Sequence, residues 1–296
     1  MSEAQIRDFD PAFEALEPAE PLAPVVFNSP HSGRVYPPQF LDQVRLDLPT
    51  LRRSEDTDVD ALFEGVVERG MPLLRAHFPR SLVDVNREPY ELDPRMFDGR
   101  LPTFANTRSM RVAGGLGTIP RVVGEAQEIY ARRIAIDEAL TRIDVLYKPY
   151  HRALRRLIAA THRAFGEALL VDCHSMPSMA PIREDRPRAD MVIGDRYGTS
   201  CAPAVTDLIE GVLKARGYHV VRNKPYAGGF ITEHYGQPQT GMQAVQIEIN
   251  RAIYMDERSY RRTAHFPRLQ ADLMVLAEAL ARLPLDRSGD WRVAAE

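Results

Sequence analysis

Leu169-Leu170-Val171-Asp172-Cys173-His174-Ser175-Met176-Pro177-Ser178 is an apolar run that stops abruptly on polar, reactive side chains. Leu169 to Val171 reads as a short buried strand. Met176-Pro177-Ser178 reads as loop, because a proline has no N–H to donate to a sheet ladder. His174 is therefore predicted where a strand ends. In open α/β sheets the carboxyl ends of the strands face the ligand crevice, so an Asp-x-His placed there is a candidate metal ligand with a carboxylate beside it. The competing reading is a histidine satisfied by ordinary hydrogen bonds. Other apolar segments of the chain finish in the same way, and they weigh on the choice.

Pro24-Val25-Val26-Phe27-Asn28 is a second short strand, and it breaks at once into Ser29-Pro30-His31-Ser32-Gly33-Arg34. Ser81-Leu82-Val83-Asp84-Val85 reads as a third, running into Asn86, Arg87 and Glu88. An arginine there is either a surface ion-pair partner or, in a cleft, a planar fork that clamps a carboxylate. Ala244 to Asn250 alternates, with Val245, Ile247 and Ile249 on one face and Gln246, Glu248 and Asn250 on the other. Glutamate is disfavoured in a strand interior, which favours a functional reason for Glu248. Arg251 follows directly. The acidic run Ser54 to Asp60 opens a helix with Val59, Leu62, Phe63, Val66 and Val67 at helical spacing. Its acids are either ordinary helix-start charges or, through Asp56, part of a metal site.

The rest of the chain is scaffold in outline. Residues 1–23 read as an irregular lead-in. Residues 89–123 are rich in Pro, Gly and Arg with little periodicity, so short elements and part of an active-site wall are expected there. The glycines at 114, 115 and 117 lack phosphate-loop spacing. Gly124 to Phe165 is the clearest helical region: a first helix carries Ile129, Ile136, Leu140, Ile143 and Tyr147, Pro149 ends or kinks it, and a second follows. His151 is expected to make a structural hydrogen bond. Arg183 to Arg188 is a charged loop, and 190–194 and 218–222 are strands flanking a helix from Pro203 to Ala215. Pro225 to Phe230 is a turn that could bring Tyr226 to a site. A last helix is expected over 260–283, interrupted at Pro267.

The 296 residues suffice for one large α/β domain, and no Ser/Gly linker divides them, so 1–296 reads as a single catalytic domain with insertions. A formal net charge of −3 gives neither the basic footprint of a nucleic-acid binder nor a polybasic stretch for membranes. Two cysteines, Cys173 and Cys201, make no disulfide framework. No apolar run approaches the ~20 residues that span a bilayer. A small-molecule ligand and a reducing cytoplasm are the expectations.

Apolar segments thus deliver His31, Asn86-Arg87, His174 and Glu248 at or near their ends. Two histidines and a carboxylate, with water in the fourth position, form a standard ligand set for a hydrolytic zinc, and a further glutamate is then available as general base. There is no His-Glu-x-x-His helix, so the site has to be assembled from distant segments.

The order His, then Asp-x-Asn-Arg, then Asp-x-His-Ser, then a strand Glu resembles the zinc carboxypeptidases and their aspartoacylase relatives. More closely, 28–33 (NSPHSG), 84–88 (DVNRE), 149–151 (PYH), 172–175 (DCHS) and 246–251 (QIEINR) resemble the N-formylglutamate amidohydrolase family, from about residue 24 to residue 280. In the carboxypeptidases a metal-binding Glu follows the first His by three residues, but that position here is Arg34. Asp56 is therefore inferred as the third ligand beside His31 and His174, with Asp58 and Glu55 as rivals. The resemblance implies a mixed, mostly parallel central sheet with helices on both faces, and one divalent metal ion, zinc. It also implies hydrolysis of N-formyl-L-glutamate to formate and L-glutamate, a late step of histidine degradation. A doubly anionic substrate needs cationic anchors, for which Arg87 and Arg251 are candidates, with Asn86 as a neutral donor. Glu248 would take the proton of a water acidified by the metal and pass it to the leaving amine. Other readings stay open: removal of another acyl group from an acidic amino acid, a small carboxypeptidase, or a metal- or amino-acid-binding protein without turnover.

Overall fold

Short apolar segments become the seven strands of the main sheet: β1 (Phe13–Leu16), β2 (Val25–Ser29), β3 (Leu73–Ala76), β4 (Ala168–Met176), β5 (Met191–Gly194), β6 (Val220–Arg222) and β7 (Met242–Asn250). The principal helices are α1 (Val59–Phe63), α2 (Ile136–Arg142), α3 (Lys148–Phe165), α4 (Pro203–Ala215), α5 (Phe230–Tyr235) and α6 (Phe266–Ala281). The computed structural model describes residues 9, 11–124, 126–178 and 188–284. The strands are hydrogen-bonded in the order β1-β3-β2-β4-β7-β5-β6. β7 runs parallel to β4 and antiparallel to β5, and β6 runs parallel to β5. The expected mixed, mostly parallel sheet with helices is therefore what forms.

The described residues fall into two compact units. One takes in Asn28–Ala61 and Leu74–Arg155 with the segment up to Leu16; the other takes in Glu17–Phe27, Leu62–Leu73 and the chain from Arg156 onward. In the second unit all nine residues of β4 are buried, and so are eight of the nine in β7. Each fully buried Val, Leu or Ile of these strands contributes roughly 1.5–3 kcal/mol over leaving it in water. α4 packs on α6, and α5 packs on β7 and β4. In the first unit the core is aromatic: Phe13 and Phe78 both meet the Tyr150 ring edge-on, at 5.6 and 6.0 Å between centroids.

Several boundaries differ from expectation, each for a local reason. β4 continues five residues past Val171, because Cys173 and the polar residues around it find a strand on either side to bond to. His174 thus stands inside a strand rather than at its end. Ser81–Val85 is not a strand: the amides of Leu82 and Val83 turn back onto the Pro79 carbonyl at 3.0 and 3.4 Å. The residues before 24 are not all irregular, since β1 joins the sheet edge; residues 1–8 and 10 lie outside the described residues. The helix begins only at Ile136, because the Ile129 amide bonds the Arg121 carbonyl and its carbonyl accepts from Arg45, both at 2.8 Å. Pro149 neither ends nor breaks it: a π turn over Ile143–Tyr147, in which the Lys148 amide bonds the Ile143 carbonyl, carries the chain past a residue with no N–H to give. α6 starts at Phe266 with Pro267 in its first turn, where no amide partner is needed, instead of being interrupted there. Residues 89–123 hold only short elements, as expected: a 3-10 turn at Pro94–Met96, a helix at Met110–Ala113, and two-residue strands. Of the charged loop expected at 183–188, residues 183–187 lie outside the described residues.

Candidate functional site

In the first unit β2 ends on Asn28 and Ser29, both fully buried, and the chain turns through Pro30-His31-Ser32-Gly33. It turns tightly against its neighbour: a Cβ on Gly33 would lie 2.0 Å from the Phe78 carbonyl oxygen, so only glycine passes there. The Ser32 hydroxyl accepts from the Asp60 amide at 3.1 Å, and the Asp56 amide donates to the His31 carbonyl at 3.0 Å. The acidic run is thereby tied to the histidine turn. Buried His31 places Nε2 2.8 Å from Asp84 Oδ1 and Nδ1 3.4 Å from Asp56 Oδ2. The rival acids face elsewhere. Asp58 meets Arg34 at 2.8 Å, while Glu55 accepts from Tyr36, Arg52 and Thr57.

Asp84 is the hub of this half. Arg80 Nε donates to it at 2.9 Å, the Asn86 amide at 2.8 Å, and an Arg87 Nη lies 3.4 Å away. Burial alone would raise its carboxyl, but Arg80, Arg87 and His31 together override that and hold it well below the usual carboxylate range. An ionised acceptor at Nε2 keeps the imidazole proton there and leaves the Nδ1 lone pair for a cation. Arg87 is nearly enclosed: Nε donates to the Leu116 carbonyl and an Nη to the Asn86 carbonyl, both at 2.7 Å. Burial lowers its guanidinium to about 10, with Asp84 pulling the other way, so it remains a cation at neutral pH. The segment around Pro149 braces these residues. The Tyr147 hydroxyl donates to the Arg87 carbonyl, the Tyr150 hydroxyl to Asn28 Oδ1, and His151 bonds the Val85 carbonyl, the structural hydrogen bond expected of it.

In the second unit the site residues are set by strand parity. Asp172 and His174 are two apart on β4 and share a face, and His174 Nε2 lies 2.8 Å from Asp172 Oδ2. This again turns Nδ1 into the ring nitrogen that could hold a cation. In the parallel register of β4 and β7, Gln246 stands opposite Asp172, and Glu248 opposite His174. Gln246 Nε2 donates to Glu248 Oε1 at 2.9 Å. Arg251 follows the end of β7, buried, with Nε donating to Ser175 Oγ at 3.0 Å. Asn250 caps the 3-10 turn that begins there, accepting from the Ala252 amide at 3.1 Å.

Asp84 and Gln246 carry contacts that their motifs alone do not specify. Residues 81–85 have strand composition but form no strand, and the place of Asp84 two residues before Asn86, which repeats the spacing of Asp172 to His174, is the usable signal. The contact of Gln246 with Glu248 follows from the two-residue strand repeat. Tyr226 lies half-buried in the turn before α5.

A family model described as N-formylglutamate amidohydrolase matches residues 23–255. The N-formylglutamate deformylase of Pseudomonas aeruginosa is 31% identical over 239 residues, which is 80% of this chain and 84% of that protein. That of Pseudomonas putida is 30% identical over 240 residues, 79% and 82% of the two chains. The crystal structure of an N-formylglutamate amidohydrolase from Ralstonia eutropha JMP134 superposes with a TM-score of 0.86 at 38% identity, covering 91% of this chain and 97% of that one. With the motifs at 28–33, 84–88, 172–175 and 246–251 all inside residues 23–255, the chain belongs to the N-formylglutamate amidohydrolase family.

Proposed function

We propose that this protein is a metal-dependent amidohydrolase that cleaves N-formyl-L-glutamate to formate and L-glutamate, in the late part of histidine degradation. The family supports the substrate. The observation that carries the chemistry is the β4–β7 register, which sets the Glu248 carboxylate one strand away from His174 on the same face.

His31, Asp56 and His174 are the proposed ligands of one divalent ion, zinc in our reading. The donor chemistry fits such an ion: all three are buried, and each histidine has a carboxylate at Nε2, so that Nδ1 is the coordinating atom in both. Two nitrogens and an oxygen leave a further position for water, as hydrolytic zinc requires. When bound, the ion would supply Lewis acidity at the formyl oxygen and lower the pKa of water towards ~7.

The remaining roles belong to the chain. Arg251 and Arg87 anchor the two carboxylates of the substrate, with Asn86 as a neutral donor. Glu248 accepts a proton from the attacking water, whose oxygen bonds the formyl carbon. It delivers that proton to the substrate nitrogen as the C–N bond breaks. The same proposal treats 1–296 as a single catalytic domain, takes a small dicarboxylate as the ligand, and places the protein in the cytoplasm, in keeping with two buried cysteine thiols. Among the described residues no helix is long and apolar enough to cross a membrane.

Glu248→Gln tests this directly, because it keeps the shape and removes the basic oxygen. A positioned acid/base contributes ~10²–10⁴-fold, so kcat for formate release falls by about that factor while metal content persists. A variant with wild-type kcat, whatever its melting temperature, overturns the catalytic assignment.

A further inference from the structure

We infer that Gln246 is a positioning residue for Glu248, and that the turn at Ala227–Gly229 sets the direction in which its amide points. This rests on the catalytic reading of Glu248 above. The amide of Gln246 is buried and engaged at both ends. Its oxygen accepts from the Gly229 amide at 2.9 Å, and its nitrogen donates to Glu248 Oε1 at 2.9 Å. A side-chain amide looks alike to packing in either orientation, but a backbone N–H accepts only the oxygen end. Gly229 therefore obliges Gln246 to present N–H to the carboxylate. Glu248 receives a donor on Oε1 and is held in one rotamer.

The turn that carries Gly229 is itself fixed on β5. A Cβ on Gly194 would stand 2.6 Å from the Gly228 nitrogen and 2.7 Å from the Ala227 carbonyl carbon, so the backbone of the turn lies where a side chain would otherwise be. The Arg196 amide donates to the Ala227 carbonyl at 2.7 Å and closes the contact. A continuous path thus leads from a missing side chain on β5, through a backbone turn, to the orientation of an amide and the placement of a carboxylate on β7. Every member lies in the second unit. Misplacement of a reacting group by about 1 Å can cost ~10²-fold in rate, so a path of this kind is visible in kcat.

Gln246→Leu keeps the volume and removes both hydrogen bonds, while Gly194→Ala, opposite Gln246 on β5, pushes the turn away and leaves residue 246 itself unchanged. Each is measured in the metal-loaded enzyme for kcat, KM, metal content and melting temperature, alone and combined. We expect Gln246→Leu to lower kcat by about 10- to 100-fold with KM and metal content close to wild type. Gly194→Ala lowers kcat in the same direction, and the double variant is no worse than the poorer single one. Wild-type kcat in Gln246→Leu overturns the inference, as does a lower melting temperature with kcat intact. If Gly194→Ala fails to fold, Gln246→Leu decides alone. Glu248→Gln run alongside separates the two readings: if it retains activity the catalytic assignment fails, whereas if it loses activity and Gln246→Leu does not, only the positioning role fails.

Discussion

β4 and β7 hold their polar side chains by register, whereas the segments at 28–34, 54–60 and 80–88 hold theirs by ion pairs and turns. On the strands, the two-residue repeat and parallel pairing alone bring Asp172, His174, Gln246 and Glu248 to one face. In the irregular segments no periodicity helps. His31 is oriented because Asp84 bonds its Nε2, and Asp84 is oriented because Arg80 and the Asn86 amide bond it in turn. The first arrangement rests on a continuous ladder of strand pairing. The second is a web of ion pairs and turn contacts centred on Asp84, and it should fail differently when broken.

The largest expected effect comes from the histidines. His31→Ala and His174→Ala should each lose stoichiometric metal and reduce formate release to background, with far-UV circular dichroism unchanged. Metal analysis of the purified variants checks this. A full equivalent of metal retained by His31→Ala alone would remove the irregular half from the ion's coordination and leave only the strand half.

The strand half was largely legible in the sequence. Alternation over 244–250 gave the face of Glu248, and an apolar run led to Asp172 and His174, although the strand proved longer than its apolar part. Pro203 with its apolar stripe gave α4 to the residue. The irregular half was legible only as motifs. β1 and β3 are four residues each, too short for a periodicity, and Glu14 and Arg75, which join across them at 2.7 Å, are 61 positions apart. Ser81–Val85 has strand composition, but the Pro79 carbonyl captures two of its amides in a turn, so Asp84 lies outside any strand. Asp58 pairs with Arg34 and Glu55 with Tyr36 across 24 and 19 positions, contacts that no spacing rule supplies.

The arginines give the next effect. Removing a charged hydrogen bond to a desolvated carboxylate costs about 2–5 kcal/mol. Arg251→Ala should therefore lower kcat/KM for N-formylglutamate by that amount, with the smaller change in melting temperature, since its Nε donates to a neutral hydroxyl, Ser175 Oγ. Arg87→Ala should lower kcat/KM comparably and also melt earlier, because Arg87 neutralises Asp84 and satisfies two carbonyls. Equal melting temperatures for the two would contradict the contrast between register and web.

Smaller still are the carboxylates behind the histidines. Outer partners of this kind are worth about 10- to 100-fold in metal affinity. Asp172→Asn and Asp84→Asn should both weaken metal binding within that range, read by competition with a chelator. Only Asp84→Asn should also lower stability, since it leaves Arg80 and Arg87 without their shared anion. Asp84 is ionised in the fold at a pH where an exposed carboxylate is not, so its contribution is complete above the ordinary carboxylate pKa and is lost as pH falls below it. The stability gap between wild type and Asp84→Asn should accordingly close on acidification, and a gap constant with pH would assign the loss to shape instead.

The smallest effect isolates one brace of the irregular half. The Tyr150 hydroxyl donates to Asn28 Oδ1 at 2.6 Å in a fully buried setting, and Asn28 precedes the histidine turn by two residues. Tyr150→Phe removes a single oxygen and leaves the ring, with its edge-on contacts to Phe13 and Phe78, in place. A typical hydrogen bond contributes about 0.5–1.5 kcal/mol, and a drop of that size in unfolding free energy should follow. If the web acts as a chain of single contacts, metal affinity should fall measurably as well, because Asn28 helps to place the turn that carries His31. If the turn is held redundantly, stability falls and metal affinity does not. Denaturant unfolding and chelator competition on this one variant therefore test whether the two halves of the proposed site are held by different physical means.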